Sequence, residues 1–119
     1  MTLLVHTFVH DEHGDRRLLD DPDDGSDMAG FESSRTKLWG SEYARALGAR
    51  FFPDLADGDL CVQPRDVGDF LAECELLRTH TAQLAAHSGY RDDYVAARLA
   101  NITGAALRAR SVGGGVLVW

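Results

Sequence analysis

The sequence predicts an α+β domain, in which a small sheet of three or four strands is packed by an antiparallel helical hairpin and one shorter helix. Three observations carry that expectation. Short runs with apolar groups on both alternating faces stand near the two ends of the chain, at Leu3–Val9 and at Val116–Trp119. Two long apolar stripes at helical spacing lie between them. The length of 119 residues suits a single core, because a chain of this size buries roughly two-thirds of its unfolded surface.

Along Leu3–Val9, Leu3, Val5, Thr7 and Val9 share one face, and Leu4, His6, Phe8 and His10 share the other. Apolar groups on both faces suit an inner strand. From His10 to Gly30 the pattern stops, and residues 10–30 read as a long acidic loop with Leu18, Leu19 and Met28 as its sizeable apolar groups. Within it, Leu18-Leu19 either tucks onto the core or extends the first strand as a hairpin through His13-Gly14-Asp15. A helix is predicted over Thr36–Leu47 and capped by Gly48; Gly40 weakens that helix, and Ser41 offers a later N-cap. A short strand is expected over Asp59–Gln63.

Pro64 suits the first turn of the next helix, whose stripe is Val67, Phe70, Leu71, Cys74, Leu77, Thr81, Leu84 and Ala85, closed by Gly89. A further helix follows Asp92 or Asp93, with the stripe Val95, Leu99, Ile102, Ala106 and Ala109. The short link between the two predicts an antiparallel pair. Gly104 in mid-helix suggests a close backbone approach. Gly113-Gly114-Gly115 then turns into the last strand. One domain, 1–119, is expected.

Net charge is −7. That field repels a phosphate backbone and attracts cations, so no nucleic acid is expected, and the charge either suits a cationic protein partner or only keeps the chain soluble. No apolar run is long enough to span a bilayer, and no basic flank precedes the apolar start, so neither membrane association nor a signal peptide is expected. Cys61 and Cys74 both fall on apolar faces and read as buried free thiols in a reducing, cytoplasmic setting.

Candidate chemistry is sparse. The run Asp20-Asp21-Pro22-Asp23-Asp24-Gly25-Ser26-Asp27 fits no calcium loop: starting at Asp20 puts Pro22 and Phe31 at ligand positions, and starting at Asp21 puts Ser26 where glycine is needed. His6, His10 and a carboxylate can be drawn as a metal cluster, but solvated or strand-edge histidines are the favoured account of them. No serine or cysteine sits in a nucleophile motif, and the triple glycine follows a helix, the reverse of a phosphate loop. No cofactor, catalytic residue or metal ligand is therefore assigned. Two sets remain. Asp11, Glu12, Asp15, Asp20, Asp21, Asp23, Asp24 and Asp27 form a candidate partner-binding stretch, and Trp39, Tyr43 and Phe51 form a candidate pocket between sheet and helices, unless they are simply core.

Three stretches, Leu38-Trp39-Gly40-Ser41, Leu47 to Ala56 with Asp59-Leu60, and Gly113 to Trp119, resemble small single-domain actinobacterial proteins. The resemblance implies one compact domain and a bacterial source, and it lends no activity and no residue role. From physical type, the leading expectation is a non-enzymatic acidic protein-binding module of the inhibitor or immunity kind, acting on a cationic protein. The alternative is a small-ligand-binding or regulatory domain, and a small enzyme comes third. A homodimer is compatible with all three.

Overall fold

The computed structural model describes residues 2–19 and 27–119. Among them are five strands, β1 (Thr2–His10), β2 (Arg16–Leu18), β3 (Met28–Phe31), β4 (Leu60–Val62) and β5 (Gly115–Val118). Four α-helices accompany them: α1 (Glu42–Leu47), α2 (Val67–Thr79), α3 (Thr81–Ser88) and α4 (Asp92–Val112). The fold is α+β. The sheet runs β2-β1-β5-β4, every pairing is antiparallel, and β3 also pairs with β1. The strands β2 and β3 come from the stretch expected to be loop. The first closes the hairpin anticipated at His13-Gly14-Asp15, with Asp11 N donating to Asp15 O. The second has only four residues and a register shift opposite Leu3 and Leu4, so it shows no alternation to read.

Helices cover one face of the sheet. Thr7 Oγ1 donates to Ala105 O on α4, which sets the face of Leu3, Val5 and Thr7 toward the helices. Val116 and Val118 of β5, and Leu60 and Val62 of β4, complete the rows of that face and join Phe70, Leu77, Val95, Leu99 and Ile102 in one core. All five residues of the predicted α4 stripe are buried. The opposite face carries His6, Phe8, Leu117 and Cys61. Phe8 is fully buried there without belonging to the main core, because its ring lies over Gly115. A Cβ on Gly115 would collide with that ring and with Val62 O, so glycine is required for the ring to settle.

Three sequence expectations need correction. The helix expected over Thr36–Leu47 is two pieces. Arg35–Trp39 is a π-helical turn, closed by Gly40 N donating to Arg35 O, and a Cβ on Gly40 would strike that same carbonyl and Ala56. The piece α1 then starts afresh, with the Ser41 hydroxyl accepting Ala44 N–H as the N-cap. The long helix through Thr81 is broken at His80. Here Thr79 Oγ1 and His80 Nδ1 both donate to Leu76 O, and Thr81 Oγ1 donates to Arg78 O, so three consecutive polar side chains compete with the backbone for the last carbonyls of α2. Gly104 is exposed with open space beside it, not a point of close approach.

Candidate functional site

The acid-rich stretch divides by position. Asp11 is spent on the hairpin turn, its Oδ1 accepting His13 N–H at 2.8 Å and Asp15 N–H at 2.9 Å. Glu12 and His13 approach to 3.6 Å at the exposed tip. Asp15 is exposed beside them. Asp27 stands elsewhere: it is half-buried, and its carbonyl accepts Val5 N–H at 2.7 Å. Some six residues of β1 separate the two groups, roughly 20 Å of strand. Asp20, Asp21, Asp23 and Asp24 lie outside the described residues. What is described is how their segment is anchored. Leu19 N donates to Thr7 O at 2.9 Å and Val5 N to Asp27 O, so both flanks are pinned to the same edge of β1, two residues apart.

The members of the aromatic trio each meet a different neighbouring ring. Trp39 is fully buried, donates its indole N–H to Ala29 O at 3.0 Å, and leans on Phe52. Tyr43 stacks on His87 with ring centres 3.8 Å apart, joining α1 to α3. Phe51 packs edge-on against Phe70 and lines a shallow groove with Gly48, Asp69 and Leu76. A different cavity, of about 210 Å³, opens between β1 and α4, with Thr7, Asp27, Asn101, Gly104 and Arg108 in its wall. Neither Trp39 nor Tyr43 nor Phe51 reaches it.

The histidines read as a metal cluster are engaged separately. Trp119 Nε1 donates to His6 Nδ1 at 2.8 Å, while His10 Nδ1 donates to Gly14 O at 3.1 Å. Among the described residues no three His, Cys, Asp or Glu side chains converge as a cation site. Both cysteines are free. Cys74 is buried against α4, and burial pushes its thiol up to about 12, with a Thr103 hydrogen bond pulling the other way. Cys61 departs from expectation. It is half-buried on the sheet face away from the helices, with Arg16 Nη1 at 3.4 Å and Gln63 Nε2 at 3.6 Å from its sulfur.

Two charged residues missed in sequence organise the structure. Glu73 is only 7% exposed, and its carboxylate accepts the N–H groups of Arg50 (2.5 Å), Phe51 (2.9 and 3.1 Å) and Phe52 (2.9 Å). These donors open the 3₁₀ turn Phe52–Ala56, so one side chain satisfies three successive backbone N–H groups, that of the buried Phe52 among them. Its signal was available: position 73 lies three residues after Phe70 and four before Leu77, on the buried stripe. Arg35 bridges Glu32 at 2.6 Å, Asp59 at 3.0 Å and Gly58 O. Burial works against its charge, but the bonds to Glu32 and Asp59 outweigh that and hold the guanidinium above its usual range.

No family model matches this chain, and neither a curated protein nor a solved structure is detectably similar to it. No helix among the described residues is long and apolar enough to cross a membrane.

Proposed function

We propose that the protein is a non-enzymatic acidic binding module of the inhibitor or immunity kind, which engages a cationic protein through the acid-rich segment. The observation that carries this reading is the anchoring of that segment. Hydrogen bonds from Leu19 and to Asp27 fix both flanks of the acid run on one edge of β1. Anchored ends lower the ordering cost of binding. A concentration of like charge attracts a cationic partner and raises its association rate, an effect that salt screens.

The test begins with affinity capture from the native host by the wild-type chain and by a variant carrying Asp20→Asn, Asp21→Asn, Asp23→Asn and Asp24→Asn. A cationic protein should be retained by the wild type and lost by the variant. Stopped-flow association with that protein should then slow steeply with salt, and the variant's deficit should fall mainly on the on-rate. Equal on-rates for the two chains at low salt would sink the proposal.

A second reading rests on the cavity between β1 and α4. Its wall combines the small Gly104 with Thr7, Asn101, Asp27 and Arg108, a polar mixture suited to a small ligand with both donors and acceptors. Enlarging Gly104 to Met should block such a ligand and leave capture of a cationic protein untouched.

A further inference from the structure

Where β3 meets α4, the surface is aromatic and built to stay in place. Phe31 is 54% exposed and Met28 42%, although both belong to the same short strand. Phe31 stacks on Tyr94 with ring centres 5.3 Å apart and planes 13° from parallel, and Tyr94 stacks on Tyr90 at 5.1 Å. Hydrogen bonds hold this ladder at both ends. Tyr94 Oη accepts Phe31 N–H at 2.9 Å, and Tyr90 Oη lies 2.6 Å from Ser33 Oγ. The rings therefore lose little freedom on contact with a partner.

Arg98 lies over the Tyr94 ring at 5.1 Å. Its Nε is buried without a partner, and Nη1 meets only the Met28 sulfur, at 3.7 Å. The described residues place no carboxylate within 4.0 Å of it. The guanidinium thus lies among aromatic and thioether groups with one buried N–H unsatisfied. Strand addition is closed off here. Ala29 O accepts the Trp39 indole, Met28 O accepts the Asn101 amide, and Phe31 N–H goes to Tyr94, so recognition must run through side chains.

We propose that this surface docks a peptide segment of a partner protein that presents an acidic side chain beside an apolar one. The carboxylate meets the Arg98 guanidinium, and the apolar group rests on Phe31 and Met28. A planar guanidinium already held over a ring can offer N–H donors to a carboxylate with little reorganisation. Tyrosine, phenylalanine, methionine and arginine are also the residue types enriched in interface centres. The proposal stands apart from the acid-rich segment, which attracts the opposite charge, so either can fail alone.

The probe is a set of capped tripeptides, N-acetyl-Leu-Glu-Leu-amide and its Gln and Lys counterparts, titrated to millimolar concentration into the isotope-labelled intact protein and followed by NMR. The Glu peptide should shift the Phe31, Tyr94 and Arg98 side-chain resonances and bind about threefold more tightly than the Gln peptide, the ratio an exposed ion pair supplies. The Lys peptide should bind least. Arg98→Gln should erase the Glu preference, and Phe31→Gln should weaken all three peptides, with the Leu60 and Val118 resonances unmoved in both variants. Absence of shifts at the surface, or equal binding of the Glu and Lys peptides, overturns the proposal. So do concentration-dependent shifts of Phe31 without peptide, which would make a second copy of the chain the occupant.

Discussion

Val5, Val118 and Leu60 lie side by side across three strands and are buried under the helices; one residue along each strand, His6, Leu117 and Cys61 lie side by side on the other face. The first row is closed by a second layer of structure. The second must be closed sideways, by its own neighbours: the Trp119 indole tilts over His6, and Phe8 uses Gly115 as its floor with the Arg16 guanidinium 5.8 Å above. The difference teaches that apolar residues on both faces of a strand do not require a layer on both sides. Large side chains lying across the sheet bury one another well enough to leave that face without helices.

The comparison breaks most directly at Leu60 and Leu117. Leu60→Ala should cost roughly 2–5 kcal/mol in denaturant unfolding, because the helical layer cannot collapse into the gap. Leu117→Ala, half-buried and free to be covered by Trp119, should cost less than about 1 kcal/mol. Similar losses for the two would mean that the outer face is as tightly closed as the inner.

Glu73 sharpens the contrast on the helical side. Glu73→Gln keeps the shape but points an NH₂ group at backbone N–H donors, so a loss of roughly 1–3 kcal/mol is expected from thermal or urea unfolding. A neutral outcome would show that the turn at Phe52 finds other acceptors. The smallest effect concerns the thiols and leaves stability unchanged. A thiol reagent at pH 8 should label Cys61 well before Cys74, since Cys74 is both buried and held at about 12, where the thiolate is scarce. Labelling at equal rates would place both sulfurs in one environment and erase the distinction between the faces.

The α4 stripe was legible because five apolar residues at 3.6 spacing have one physical solution. The hairpin was legible only as one of two alternatives, from its turn residues His13-Gly14-Asp15. By contrast, β3 was hidden: four residues, one of them a glycine, after an acid run carry no period. The break at His80 was hidden for another reason. Periodicity records which side chains are apolar, whereas the break comes from three polar side chains reaching back to carbonyls. The candidate site was less legible still. The acid run showed where charge is concentrated but not that its flanks return to adjacent points of β1. Of the trio, Trp39 and Phe51 join one aromatic chain through Phe52 and Phe70, while Tyr43 stacks on His87, and spacing in the sequence does not reveal those neighbours. Arg98 flanks the α4 stripe like any helix-surface arginine, and only the three-dimensional arrangement shows that its surroundings lack an acid.

The pairing of β1 with β5 has a kinetic consequence. Leu4 and Trp119 exchange backbone hydrogen bonds of 2.8 and 2.9 Å, so the central seam of the sheet joins strands separated by almost the whole chain. Closing so long a loop carries an entropic penalty before any sheet contact offsets it, and contacts of high sequence separation slow folding. The pairs of α4 with α2 and α3 are closer in sequence and can dock first. Among the described strands β4 pairs only with β5, so its backbone has no strand to align on until that seam is made. The seam between β1 and β5 is thus expected to close late, and a nascent chain lacking Val116–Trp119 would leave β1 and β4 unjoined.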